Sequence, residues 1–143
     1  MPSVHDVAAY ILQKQGQMTA MKLEKLVYYC QAWSLAWDEA PLFDEPIEAW
    51  ANGPVVPALF SEHRGQYFVS DWPKGDANNV SSVQIDTIKA VLNFYGDKTS
   101  QWLSDLSHSE QPWIDARAGL PSGIRGHSVI SHDSMAFYYQ GLS

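Results

Sequence analysis

The sequence has little basic charge, a single cysteine and no long apolar run, and each shortage excludes a class of protein. With 9 Lys and Arg against 16 Asp and Glu, the chain carries a formal net charge of −7. Phosphate groups are bound by clustered Lys and Arg, so a nucleic-acid or anionic-membrane partner is not expected. Cys30 alone cannot form a disulfide framework or a thiolate zinc cage. No apolar run approaches the roughly 18 residues that a membrane-spanning helix requires.

What the chain does contain is enough apolar material for one hydrophobic core. It has 143 residues, of which 45% are hydrophobic, and this length is typical of a single domain. The N-terminus lacks the basic and apolar regions of a signal peptide. We therefore expect one domain over residues 1–143, located in the cytoplasm.

Apolar residues recur at helical spacing in several segments, which predicts a mainly α fold. The strongest segment, 20–37, follows a capping Thr19 and is apolar on both faces, so we expect this helix in the middle of the fold. Together the segments predict a compact bundle of about six helices. The other five are expected over 4–14 and 82–95, after Asp97, from Ser109 to near Gly119, and after Ser131.

The segment 41–57 is rich in proline and breaks the helical pattern. Residues 46–51 alternate weakly, as in a strand, and Asn52-Gly53 is a strong turn signal in which Gly53 is expected to have a positive φ. We expect a small β-like or irregular insertion here. After it we expect a short helical turn over 55–60 and a long surface loop over 64–79.

A search for catalytic motifs finds none, so an enzyme is not expected. Cys30 lies on an apolar stripe, where a structural thiol is expected instead of a nucleophile. The loop Gly123-Ile124-Arg125-Gly126 imitates that of an RNA-binding KH domain without its flanking pattern. One remote alternative is a small metal-dependent hydrolase built on His108, His127 and His132, although a metal site needs three or four convergent ligands.

Charge and aromatic residues indicate a protein partner instead. No Lys or Arg falls between Lys25 and Arg64, an interval that holds six carboxylates. Such a segment could attract a basic partner, or it could be a solvated loop. Two aromatics in the polar loop could be exposed interface anchors or could pack under the loop as part of the core. The predicted partner-binding residues are Trp37, Asp38, Asp44, Glu45, Glu48, Tyr67 and Trp72.

Several runs of the chain resemble a known family. They are Leu-Glu-Lys-Leu-Val-Tyr-Tyr-Cys-Gln-Ala-Trp at 23–33, Pro-Leu-Phe at 41–43, Ile-Glu-Ala-Trp-Ala-Asn-Gly-Pro-Val-Val-Pro at 47–57, Leu-Ser-His-Ser-Glu-Gln-Pro-Trp at 106–113, and Ile-Ser at 130–131. In these runs the chain is similar to the Panacea domain of SocA-like antitoxins and of phage-associated GepA-type proteins.

The resemblance implies an antitoxin of a type II toxin–antitoxin module, of the kind often carried on prophages. Such a protein neutralises a cognate toxin, encoded by the adjacent gene, through direct binding and without a cofactor. The alternative within the same family is an adaptor that delivers the toxin to a bacterial AAA+ protease.

The family signature itself can be read in two ways. Its apolar residues and its Gly-Pro pair can pin a corner of the fold, or the run can touch the toxin. We expect the structural role for Trp50, Asn52, Gly53, Pro54, Val55, Val56 and Trp113.

Overall fold

A helix that is buried along most of its length forms the centre of the fold. The computed structural model describes residues 1–142, and this helix, α2, spans Ala20–Trp37. Of its 18 residues 15 are buried, which confirms the central position predicted from its two apolar faces. The Thr19 side chain caps its start by accepting a hydrogen bond from the Lys22 amide at 3.1 Å.

Six further α-helices surround α2, so the mainly α prediction is confirmed. Residues 1–142 contain seven α-helices instead of about six. The additional one is α3, which begins at Pro57, where proline suits the first helical position; the sequence predicted only a helical turn from Val55. The helices besides α2 are α1 (Val4–Gln15), α3 (Pro57–His63), α4 (Ser82–Tyr95), α5 (Ser100–Ser107), α6 (Gln111–Arg117) and α7 (His132–Gln140).

Two short antiparallel pairs of strands complete the fold. Strand β1 (Met18–Thr19) pairs with β4 (Phe68–Val69), and β2 (Glu48–Trp50) pairs with β3 (Gly53–Val55). The second pair confirms the β-like insertion. We expected a long surface loop over 64–79, and this segment instead contains strand β4 and a short 3-10 turn at Ala77–Asn79.

The predicted boundaries differ from the observed ones where capping groups compete. Helix α5 is capped by Thr99, whose hydroxyl accepts a hydrogen bond from the Trp102 amide at 3.1 Å, and not by Asp97. Helix α6 follows Glu110 instead of Ser109 and ends at Arg117. Within residues 1–142, no helix is both long and apolar enough to cross a bilayer.

A buried carboxylate links α2, the start of α6 and α7. Glu110 is 5% exposed, and its Oε1 accepts hydrogen bonds from the hydroxyls of Tyr29 at 2.7 Å and Tyr139 at 2.8 Å. Tyr139 in turn lies 3.0 Å, oxygen to oxygen, from Tyr28. Burial raises the pKa of Glu110, against the lowering effect of its two tyrosine donors.

We predict that Glu110 makes the stability of the protein depend on pH. Because its pKa is raised in the folded state above the ordinary value of 4.5, the folded chain binds more protons than the unfolded chain just above that pH. Its contribution to the free energy of unfolding therefore falls as the pH rises through this interval. Relative to wild type, Glu110→Gln should become more stable as the pH is raised, which urea denaturation at a series of pH values measures.

The matched control for this experiment is Glu39→Gln, which changes an exposed carboxylate. A free-energy difference between Glu110→Gln and wild type that stays constant with pH would contradict the prediction.

Candidate functional site

The hairpin formed by β2 and β3 is held against α2 by two buried charged side chains. Lys25 Nζ donates a hydrogen bond to the Pro54 carbonyl at 3.0 Å. Glu24 Oε1 accepts one from the Val56 amide at 2.9 Å, and Glu24 Oε2 lies 2.7 Å from His63 Nε2. Burial lowers the pKa of Lys25 to about 8, although the neighbouring Glu24 carboxylate opposes the shift. Both charges are thus occupied inside the fold and cannot meet a partner.

The other side of the hairpin is held by α5 and α6. Trp113 Nε1 donates a hydrogen bond to the Trp50 carbonyl at 2.8 Å, and Ser104 Oγ donates one to the Asn52 carbonyl at 2.5 Å. The turn lies at Ala51-Asn52, one residue earlier than predicted, and Gly53 begins β3 with φ +127°. The residues of the signature therefore contact helices of their own chain.

Gly53 is predicted to be intolerant of a side chain. A Cβ there would lie 2.9 Å from Lys25 Cε and 3.2 Å from Ser107 Oγ, at a φ that L-residues rarely adopt. Gly53→Ala should lower the free energy of unfolding by about 1–3 kcal/mol, measured by chemical denaturation.

Gly65→Ala is the matched control, because Gly65 has φ +84° but no atom within 4 Å of the place that a Cβ would take. The loss of unfolding free energy in Gly65→Ala therefore reports the cost of the backbone conformation alone, without steric crowding of a Cβ. Equal losses in the two variants would show that contact with Lys25 and Ser107 contributes nothing.

A buried arginine fastens the loop 121–126 beside the hairpin. Arg117 is 5% exposed, and its guanidinium donates hydrogen bonds to the carbonyls of Ala49 at 3.2 Å, Pro121 at 2.8 Å and Ile124 at 2.6 Å. The planar guanidinium group carries several N–H donors that point in different directions, so it can bind several carbonyls at once. The position of this loop therefore depends on one side chain of α6.

Arg117→Lys is predicted to loosen this loop, because a single ammonium cannot reach all three carbonyls. Losing a hydrogen bond to a charged group costs about 1.5–3 kcal/mol, so unfolding should become easier and the amides of 121–126 should exchange faster with deuterium. The exposed Arg125→Lys change in the same loop is the control, with an expected effect within about 0.5 kcal/mol. Unchanged exchange in Arg117→Lys would contradict this role.

An open groove lies beside the hairpin. Its volume is about 520 Å³, and its apolar wall is formed by Met21, Trp50, Val55 and Phe60, with the Trp50 and Phe60 ring centroids 4.9 Å apart. A smaller hollow shares Met21 and Phe60 with it and extends to Tyr67. We call the larger cavity the hairpin groove; its rim carries Arg64, Arg125 and His127.

The carboxylates of the predicted partner site are directed to different parts of the fold. Asp38 Oδ2 accepts a hydrogen bond from the Thr87 hydroxyl at 2.6 Å, on α4. Glu45 Oε1 accepts one from the Val4 amide at 3.0 Å, at the start of α1. Asp44 is exposed.

Glu48 lies next to two residues that line the hairpin groove. Its Oε1 accepts a hydrogen bond from Trp50 Nε1 at 2.8 Å and lies 3.5 Å from His127 Nδ1. The carboxylates of the acidic segment thus contact several elements and do not form one exposed acidic face.

The two loop aromatics have opposite environments. Trp72 is 7% exposed, and its Nε1 donates a hydrogen bond to His5 Nδ1 at 3.0 Å. Of the two alternatives for this ring, the structure supports packing under the loop and not an exposed anchor. Trp72 packs under the loop because α1 offers a ring and an acceptor there. Tyr67 is 74% exposed and its ring lies edge-on to Phe68.

Trp37 lies on an exposed apolar patch that also includes an aromatic the sequence did not indicate. Trp37 is 45% exposed and Phe94, on α4, is 59% exposed. Both line a shallow hollow whose floor includes Trp33 and Val91. Phe94 falls outside the apolar stripe of α4. That position was the only feature of the sequence that could have indicated an exposed ring.

The remaining candidates for chemistry are not brought together. His127 lies near Glu48, His108 packs against Trp113 with ring centroids 5.4 Å apart, and His132 is exposed at the start of α7. Residues 1–142 contain no group of three or more His, Cys, Asp or Glu side chains placed to hold a metal ion. Cys30 is fully buried, and burial raises the pKa of its thiol.

Comparison with protein families gives a match that covers more than half of the chain. The model of the antitoxin SocA-like Panacea domain matches residues 23–114. The chain therefore belongs to the family of SocA-like antitoxins with a Panacea domain, as its resemblance indicated. The match includes α2 from Leu23 onward, the hairpin and the first half of α6, and it ends before the similarity noted at 130–131. Comparisons with curated proteins and with solved structures gave no significant match.

Proposed function

We propose that this protein is the antitoxin of a type II toxin–antitoxin module and that it neutralises a cognate protein toxin by binding it directly. Membership of the family supports an antitoxin role and a toxin partner in general. Direct binding needs neither catalysis nor a cofactor, so we propose a role that is not enzymatic.

The observation that carries the proposal is an exposed aromatic patch beside a carboxylate at the end of α2. We call it the α2-end surface and define it by Trp37, Asp38 and Phe94. Large exposed aromatics are the side chains that most often dominate the energy of a protein interface. The exposed carboxylates of Asp38 and Asp44 would accelerate association with a basic toxin.

Two other members of the acidic segment have a different part in this proposal. The carboxylates of Glu45 and Glu48 accept hydrogen bonds from Val4 and Trp50 of their own chain. We therefore assign them to the edge of the interface and to the fold, and we assign the main contact to Trp37 and Phe94. Trp72 is too deeply buried to serve as an anchor.

Co-expression with the protein encoded by the adjacent gene tests the proposal. The neighbour alone should arrest growth, and the wild-type chain should restore it. A double variant, Trp37→Ala with Phe94→Ala, should bind the toxin at least about tenfold more weakly, because each anchor contributes about 2 kcal/mol or more in a typical interface. Phe137→Ala, which removes an 83% exposed ring from α7, is the matched control and should still neutralise.

The amount of toxin in these cells separates direct neutralisation from the adaptor alternative. A sequestered toxin should persist at an undiminished level beside the antitoxin. A toxin whose half-life shortens only when an AAA+ protease is present would instead assign the adaptor role. A neighbour that is harmless alone, or that remains toxic beside the wild-type chain, would refute the antitoxin proposal itself.

A further inference from the structure

Two arginines at the hairpin groove are exposed and have no carboxylate partner. Lys25 and Arg117 are buried and bound to carbonyls, and Lys74 lies within ion-pair distance of a carboxylate. Arg64 and Arg125 are exposed, and among residues 1–142 neither has a carboxylate oxygen within 4.0 Å. In a protein of net charge −7, the groove therefore carries two guanidinium groups that no carboxylate of its own chain contacts.

The apolar wall between these arginines is preformed. Trp50 Nε1 is bound to Glu48, and the indole packs edge-on against Phe60 and His127, with centroid distances of 4.9 and 5.8 Å. The Arg64 guanidinium lies 5.7 Å from the centroid of the Phe60 ring. An apolar side chain that enters the groove would thus meet fixed aromatic faces without an ordering cost.

The backbone around the groove is equally constrained. Lys25 holds Pro54 on one side, and Arg117 holds Ile124 on the other. A volume of about 520 Å³ falls within the range of built ligand sites, roughly 300–1,000 Å³. The groove is therefore suited to a few side chains of an extended segment and not to a large flat surface.

We propose that the hairpin groove binds an acidic peptide segment of a protein partner, with an apolar side chain seated on Trp50 and Phe60 and with carboxylates paired to Arg64 and Arg125. Charge complementarity selects this occupant, since the free groups at the rim are guanidinium groups. Two guanidinium groups are too few for a phosphate backbone, which is bound by larger clusters of cations. The Glu48 carboxylate does not line the groove and is directed to Trp50 and His127.

This site is separate from the α2-end surface and has the opposite charge. Its partner segment can belong to the toxin or to another protein, and the proposal concerns only the chemistry of that segment. It does not depend on the proposed function, because it is tested on the purified chain without a toxin.

A random peptide library displayed on phage and selected on the full-length protein provides the test. Selected peptides should combine Asp or Glu with a large apolar residue. Synthetic copies, measured by fluorescence anisotropy, should bind the Arg64→Glu, Arg125→Glu double variant at least about tenfold more weakly than wild type. The affinity for wild type should also fall as salt is added.

The matched control is the double variant Lys14→Glu, Lys89→Glu, which makes the same change of net charge beside a different hollow. It should bind the selected peptides with wild-type affinity, and circular dichroism should show that both double variants are folded. Selection of basic peptides, or equal binding by the two double variants, would overturn the proposal. So would selection of no peptide at all, or arginine-dependent binding of a labelled oligothymidylate alone.

Discussion

The fold depends on polar side chains of α2 that satisfy the backbone of the segment 41–57. Outside the pairing of β2 with β3, this proline-rich segment leaves amides and carbonyls without a partner in the segment itself. Much of the segment is buried, and unpaired buried backbone groups are costly. Gln31 accepts a hydrogen bond from the Leu42 amide at 2.7 Å and donates one to the Phe43 carbonyl at 2.9 Å. Glu24 and Lys25 do the same for Val56 and Pro54. Helix α2 therefore supplies both the centre of the apolar core and the hydrogen-bond partners that fix the backbone of the insertion.

This arrangement separates what holds the domain together from what is free to bind. The run that carries the family signature has its backbone fastened to α2, α5 and α6, and about half of its residues are buried. The exposed groups lie on either side of it, as the aromatic and acidic α2-end surface and as the hairpin groove with its arginines. Both surfaces can vary their side chains while the buried frame stays the same. Such a division allows a single fold to be combined with different partners.

Features that depend on local chemistry could be predicted from the sequence. The central helix, the cap at Thr19 and the positive φ of Gly53 follow from apolar spacing, a hydroxyl and the lack of a side chain, each acting within a few residues. The boundary at Asp97 was wrong because Thr99 competes for the same role two residues later. The sequence left open whether Trp72 is buried or exposed, because its acceptor His5 lies 67 positions away in the sequence.

The candidate sites show the same limit more clearly. An interval of the chain without basic residues suggested a single acidic face, but the carboxylates of Asp38, Glu45 and Glu48 turn toward three different elements. The hairpin groove could not be predicted from the sequence. Arg64 and Arg125 are far apart in the chain, and only the folded structure places both beside Trp50.

The sequence by itself determined the class of fold, the family and the helices, since periodicity, capping and a signature run are properties of neighbouring residues. Only the tertiary structure decided which charges are buried, which aromatics are exposed and where a cavity opens. Burial and charge pairing depend on residues that are distant in the chain, as Trp50 and Trp113 are at a separation of 63, and such contacts exist only after the helices have packed.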